Sequence, residues 1–380
     1  MIKNNLLAGA CDGWLGFDFR GSNHILLSIL QYPKEAHLTR RFYYWLPKIG
    51  EPEAIIHRID APSHAHLTCK KILYSTWQEL DALLKQRIAS KTICMEYWPD
   101  GAIPTYSIVD AGTFQYLTSL GATITSSWNL LGSTLAGLST EQQQSHLQAA
   151  KHLEAIVKET IQQLKSPSTE YSLQQFILTK FKELNLVTEH PPIVAFGPNA
   201  ALPHYEPTKE RSSTIASENV LLIDLWAKLS KDNAVYADLT KVFYVGKNPS
   251  DEILSAYSAL YVAQESAINY IKNEFKAGHT VRGSDVDTVC RTSIGKAGFG
   301  PYFTHRTGHN ITTQLHGPGP NIDGYETNDV RVLLPRSCSS IEPGIYIPGK
   351  FGLRTECNIL IQQDMQVVVS GKANPQLEMI

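Results

Sequence analysis

Residues 219–246 read NVLLIDLWAKLSKDNAVYADLTKVFYVG, two apolar runs separated by the polar tetrad Ser230–Asn233. The pattern predicts an antiparallel hairpin. Asp224 interrupts VLLIDLW, where a buried strand would carry an apolar side chain. If the tetrad is the loop, residue 224 faces residue 239, and Asp224 and Asp238 fall within one residue of direct pairing. Cross-strand Cβ atoms lie only ~5 Å apart, so two ionised carboxylates there repel. Two readings stand at this point: the acids point to solvent, or they face each other in the interior and a cation neutralises them.

The segments before the hairpin set its frame. A chain of 380 residues exceeds one comfortable core and predicts two domains. Residues 1–135 alternate short strands and helices. HILLSIL, RFYYWL, EAIIHRI and TICMEYW are strand-like, and STWQELDALLKQRIA is helical with Ser75 as its N-cap. A second domain, residues 136–380, opens on an amphipathic helix: Ser139 and Gln142 form a capping box behind Leu138, and Leu147, Ala150, Leu153, Val157 and Leu164 recur at helical spacing. SPSTEYSLQQFILTKFKELNL adds another helix. After the hairpin a long helix follows Ser250, and a further one runs to Gly298. SSIEPGIYIP and GLRTECNILI are strand-like, which gives a mixed α/β (α+β) chain overall.

Two more clusters carry chemistry. Glu342 lies on a strand-like segment bent by Pro343-Gly344, and Glu356 sits in the next one with Arg354 two residues earlier on the same face. A surface Arg–Glu pair accounts for the second acid but not for Glu342. HRTGHNITTQLHGPGPNID, from His305, places His305, His309 and His316 where no hydrophobic period explains them. They fit solvated loop histidines, a zinc helix, or part of a metal site completed elsewhere. Gly308 weakens a helix, and no glutamate follows His305 as a zinc helix would require. Together, Asp224, Asp238, His309, Glu342 and Glu356 supply four carboxylates and one imidazole, enough to balance two divalent cations. Such oxygen-rich ligation suits manganese, cobalt, iron or zinc, and a metal pair with a bridging hydroxide is a hydrolytic centre.

At these residues the sequence resembles the pita-bread metallopeptidases, which include methionine aminopeptidase, aminopeptidase P and prolidase. The family's ligand order is Asp, Asp, His, Glu, Glu, and LLIDLWAKL, VYADLTKVF, HRTGHNI, SIEPGIY and GLRTEC look like its five motifs. DGWLGFDFRGSN and the strands after it look like the creatinase-type N-terminal domain of the proline-directed branch. The resemblance implies a creatinase-like domain over 1–135 and a pita-bread catalytic domain over 136–380. It implies that Asp224 binds one metal, that His309 and Glu342 bind the other, and that Asp238 and Glu356 bridge them. Glu342 would act as general base and then acid. His316, His305, His204 and Arg354 would line the cleft, and Thr240 would orient Asp238. Two departures stand out: Trp226 occupies the glycine position of the first motif, and the Asp224–Asp238 spacing is long.

The implied activity is hydrolysis of the bond before proline by a prolidase-like Xaa-Pro dipeptidase with two divalent ions, manganese first. The alternatives are an Xaa-Pro aminopeptidase on longer peptides, a metal-free creatinase-type hydrolase, and a non-catalytic binding protein on the same scaffold. Retention of all five ligands argues against the last two. The implied partners are a peptide with proline in second position and a second copy in a homodimer. A net charge of −2 gives no reason to expect nucleic acid. The first 21 residues hold too short an apolar patch for a signal peptide, and no run approaches membrane-spanning length. The six cysteines (Cys11, Cys69, Cys94, Cys290, Cys338, Cys357) show no paired spacing, so no disulfide and a cytoplasmic location are expected.

Overall fold

Six short strands come together in the first 135 residues: β1 (Gly13–Phe19), β2 (Arg41–Pro47), β3 (Glu53–His57), β4 (Lys70–Tyr74), β5 (Thr92–Met95) and β6 (Thr123–Ser126), in the order β4-β3-β2-β1-β5-β6. The computed structural model describes residues 2–33, 35–216 and 218–380, with Lys165 by its backbone alone, and divides into two compact units between Leu135 and Ala136. Helices α1 (Ile2–Ala8), α2 (His24–Ile29), α3 (Trp77–Ile88) and α4 (Ala111–Ser119) accompany the first sheet, and α5 (Trp128–Ala136) runs up to the division. Leu15, Tyr43, Trp45 and Ile55 from the sheet pack with Leu80, Leu84 and Ile88 of α3.

Three expectations for this unit need correction. HILLSIL forms α2 rather than a strand, because the Asn23 side chain accepts a hydrogen bond from the Leu26 amide and caps a helix start. Thr76, not Ser75, caps α3, in a capping box with Glu79. Cys11 and Cys94 are joined in a disulfide with Cα atoms 6.2 Å apart. Parallel pairing of β1 with β5 brings the two cysteines together, a proximity that a spacing of 83 residues conceals.

The second unit is built around the hairpin. Its helices are α6 (Thr140–Gln162), α7 (Glu170–Glu183), α8 (Asp251–Lys276) and α9 (Gly283–Lys296). Short strands β7 (Ser168–Thr169) and β10 (Thr214–Ile215) pair with each other. The main sheet has β8 (Leu186–Val187), β9 (Ile193–Phe196), β11 (Asn219–Leu229), β12 (Ala237–Val245) and β19 (Glu378–Met379). The capping box of Ser139 and Gln142 forms as the sequence indicates. One face of β11 carries Leu221, Ile223 and Leu225 against Leu153, Ile156 and Ile177 of α6 and α7. Its other face carries Val220 and Leu222 into a core shared with Leu260, Ala263 and Ile271 of α8, and then Asp224.

The hairpin's register differs by one residue from the expected one. Asp224 pairs with Thr240 and Trp226 with Asp238. A pairing of 224 with 239 would have sent the two acids to opposite faces, whereas the observed register puts both on the same face. The loop is also longer than the tetrad, because β12 begins only at Ala237. Ala234, Val235 and Tyr236 leave the ladder to be buried elsewhere. There the Val235 amide donates to Ser145 Oγ at 3.1 Å and the Tyr236 amide to the Thr312 carbonyl at 3.0 Å.

A second sheet completes the unit: β13 (Asn310–Ile311), β14 (Cys338–Ile341), β17 (Cys357–Ile361) and β18 (Val367–Ser370), beside the hairpin of β15 (Gly344–Ile347) and β16 (Phe351–Arg354). Glu342 and Glu356 lie in breaks rather than in strands. Ile341 pairs with Cys357 and Gly344 with Arg354, so the two breaks face each other across one ribbon. Gly352, in β16, runs under the Ala200 carbonyl so closely that a Cβ there would lie 1.8 Å from its oxygen. Gly352→Ala is expected to cost about 1–3 kcal/mol, read as a lower urea midpoint for unfolding of the whole chain.

Candidate metal centre

Local structure delivers the five ligand candidates from one hairpin, one loop and two strand breaks. Asp224 and Asp238 come from adjacent strands, His309 from the loop ahead of β13, and Glu342 and Glu356 from the facing breaks. Asp238 is fixed through its backbone: the Asn358 side chain accepts from its amide at 3.0 Å and donates to its carbonyl at 2.8 Å. Gly308 lets His309 approach, since a Cβ at Gly308 would lie 2.1 Å from the Ser340 carbonyl oxygen. Ser340 Oγ accepts from the His309 amide at 2.9 Å and donates to Glu342 Oε1 at 3.0 Å, which ties the two candidates to one hydroxyl.

The side chains converge. One ligand atom each from Asp238, His309 and Glu356 lies within 4.8 Å of the others. His309 Nε2 stands 3.4 Å from Asp238 Oδ2 and 3.4 Å from Glu342 Oε1. Its Nδ1 faces the Asn310 carbonyl at 3.3 Å; with the proton there, the Nε2 lone pair is free for a metal. Asp224, Asp238, His309 and Glu356 are all buried, and Glu342 is half-buried. Asp224 Oδ1, Asp238 Oδ1 and Glu356 Oε1 are buried oxygens with no hydrogen-bond donor among the described residues. Acceptors of that kind, grouped around an imidazole, fit divalent cations of the oxygen-preferring type.

The electrostatics agree. Burial pushes the Asp224 pKa up to about 7, although Arg354 opposes it. Burial, and then the neighbouring acids, raises Glu356 well above the carboxylate range. Asp238 is raised too, by burial against the pull of His309. For His309, burial alone would lower the pKa, but Asp238 and Glu342 outweigh it and raise it. Burial favours the neutral form of Glu342 as well, yet His309, His305 and Arg354 together hold its pKa below the usual value.

The other candidates take positions around this centre. Arg354 pairs with Asp224 Oδ2, not with Glu356 as strand alternation suggested, and the break after Arg354 is the reason. It also donates to Thr240 Oγ1 at 3.1 Å and to the Tyr346 hydroxyl at 2.8 Å. Thr240 in turn donates to Glu356 Oε2 at 2.8 Å, so it orients that acid rather than Asp238. The Tyr346 hydroxyl lies 2.9 Å from His305 Nε2, while His305 Nδ1 donates to the Arg306 carbonyl at 2.7 Å. The His316 ring lies 4.3 Å from that of His309. His204 and His316 are exposed and, with His305, line a cleft of about 1450 Å³ that opens onto the acids. Ser340, Tyr346 and Asn358 escaped the sequence reading. Only the position of Ser340, two residues before Glu342, offered any signal.

Comparison with known proteins places the chain in a class. The pattern of metallopeptidase family M24 matches residues 144–363, and the chain belongs to that family. It is 34% identical over 209 residues to a putative Xaa-Pro aminopeptidase of Mycoplasma genitalium, an alignment covering 54% of each chain. It is 37% identical over 169 residues to an Xaa-Pro dipeptidase of Lactobacillus helveticus, covering 44% of this chain and 41% of that one. The chain thus spans about half the length of the curated relatives it matches. Its fold matches that of prolidase from Thermococcus sibiricus with a TM-score of 0.68 at 23% identity, over 100% of this chain and 97% of that one.

The raised carboxyls set a pH dependence. A carboxyl with a folded pKa of about 7 and an ordinary value of 3.8 keeps a proton in the fold that the unfolded chain releases. Through these groups the metal-free centre loses stability as pH rises between those values, with Glu342 alone among its four acids opposing the trend. Bound divalent ions replace those protons. The rise in melting temperature on adding manganese is expected to be larger at pH 8 than at pH 5, with protons released into weakly buffered solution on titration.

Proposed function

We propose that the chain is a metal-dependent exopeptidase that hydrolyses the peptide bond before proline, prolidase-like in favouring Xaa-Pro dipeptides. The observation that carries this reading is the set of buried carboxylate oxygens without donors among the described residues, gathered with His309 in the lining of an open cleft. The M. genitalium and L. helveticus relatives, named as an Xaa-Pro aminopeptidase and an Xaa-Pro dipeptidase, support the proline direction. The former favours longer peptides as the second reading. In the same proposal the two units are a creatinase-like N-terminal domain and a pita-bread catalytic domain.

Asp224, Asp238, His309, Glu342 and Glu356 would hold two divalent ions, with manganese the first choice for so oxygen-rich a set. When bound, such ions supply Lewis-acid polarisation of the scissile carbonyl and a water of lowered pKa. The chain's own residues do the rest. Glu342, kept ionised by its cationic surroundings and oriented by Ser340, takes a proton from the attacking water and returns it to the leaving nitrogen. Proline presents a tertiary amide with no N–H, so that returned proton is what makes its nitrogen a viable leaving group. His316, His305 and His204 line the approach, where their imidazoles can hydrogen-bond substrate carbonyls. Arg354 holds Asp224 and, through Thr240, Glu356 in place. A cytoplasmic location and a homodimer belong to the same reading. Among the described residues no helix is long and apolar enough to cross a membrane.

Glu342→Gln is expected to lower kcat on an Xaa-Pro dipeptide by at least about 100-fold, with the circular dichroism spectrum and melting curve of a folded protein. Chelation should abolish turnover, and manganese, cobalt or zinc should restore it. Full-rate hydrolysis by protein shown to be metal-free would rule the mechanism out.

A further inference from the structure

Trp226 is a cleft residue for which the chemistry above has no use. It sits on β11 two residues beyond Asp224 and directly opposite Asp238, so its side chain leaves the sheet on the same face as both acids. The indole is half-buried and lines the cleft with Leu315, Pro191 and Pro192. Trp226 and Leu315 both pack on one apolar cluster that includes Val235 and Ile311. The Trp226 Nε1–H is buried and has no acceptor among the described residues. A buried tryptophan kept for the fold pairs that donor, and leaving it unpaired costs stability. The ring is thus retained at a cost to the fold, next to the acids on the strand.

Exopeptidase chemistry says what must lie near it. The carbonyl under attack belongs to the first residue of the substrate, and that residue's Cβ is two bonds from the reacting carbon. Its side chain must therefore rest on a wall close to the acids. Much of the cleft lining, with His305, Arg306, His316 and Glu326, is polar and offers an apolar side chain nothing. Its apolar lining beside the acids is the Trp226 indole, packed with Leu315 on one cluster, together with Pro191 and Pro192. We propose that Trp226 is a specificity-determining residue whose indole face receives the side chain of the substrate's first residue and selects apolar ones. This rests on the exopeptidase reading above.

The test compares manganese-loaded full chain with its Trp226→Ala and Trp226→Phe variants on Leu-Pro, Phe-Pro and Gly-Pro. Glycine brings no side chain to the wall and so serves as the internal reference. Trp226→Ala is expected to lower kcat/KM for Leu-Pro and Phe-Pro about tenfold or more relative to Gly-Pro, within the range that apolar pocket contacts provide. Trp226→Phe, which keeps a ring, should retain most of the preference. An equal loss on all three substrates would mean that the indole serves the proline ring or the fold, and a gain on Phe-Pro would mean that it merely limits size; either overturns the proposal. Metal content and melting temperature establish that each variant is folded and loaded, and Trp226→Gln, which keeps bulk but is polar, carries the comparison if the Ala variant does not fold, with the same relative loss on Leu-Pro and Phe-Pro expected. Should loaded wild-type protein cleave none of the three, the exopeptidase reading itself fails, an outcome separate from a change of preference among variants.

Discussion

A buried carboxylate persists only where something takes up its charge, and the C-terminal unit buries three of them and half-buries a fourth around a single imidazole. Arg354 answers Asp224. His309 can answer Asp238 or Glu342 with one proton. Among the described residues the Glu356 carboxylate accepts a hydrogen bond from the Thr240 hydroxyl alone. Two charges of one sign a few ångströms apart in a low dielectric repel by several kcal/mol, so the polypeptide alone cannot satisfy this group at neutral pH except by holding protons on it. Much of the fold of this unit can be understood as the framework that keeps the acids together against that repulsion. Asn358 pins the backbone of Asp238 from the second sheet, and Ser340 links His309 to Glu342.

The way the acids are delivered follows from strand geometry. A regular antiparallel ladder alternates its side chains, which suffices for Asp224 and Asp238 once the register places them on one face. Glu342 and Glu356 need something else. Both occupy interruptions where one long ribbon changes direction, and the interruptions coincide because β14 to β17 are paired on either side of them. At such a point the backbone amides are released from the ladder. Glu342 donates its amide to the Thr307 carbonyl at 2.7 Å, and Glu356 donates its amide to the Thr240 carbonyl at 3.2 Å. The break is thereby anchored to the histidine loop on one side and to the aspartate hairpin on the other.

Much of this was legible from the residues. The acids at 224 and 238 stood out because they broke apolar runs, and the histidines because no period accounted for them. The Ser139–Gln142 capping box and the long helices followed from local pattern. The errors arose where tertiary contacts overrule local pattern. Val235 and Tyr236 have strand-forming side chains but leave the ladder for a separate apolar cluster, which shifts the register by one. Alternation through Arg354 and Glu356 looked like a strand face, but a break between them sends the arginine to Asp224. HILLSIL carries β-branched character yet is turned into a helix by one asparagine. The Cys11–Cys94 pair and the Asn358 clamp depend on strand neighbours far apart in sequence, and nothing local to those residues announces them.

The wide sequence separation of the acids also has a consequence for biosynthesis. The Asn358 clamp joins residues 120 positions apart, and Glu356 reaches Thr240 across 116. On the ribosome, the hairpin emerges long before the segment that secures it, at a pace of roughly 5–20 residues per second. For several seconds the nascent chain holds a hairpin with two inward-facing acids and neither clamp nor imidazole to accompany them. Those carboxylates must remain hydrated until the segment through Asn358 has emerged, so the aspartate hairpin can seal only after that segment docks.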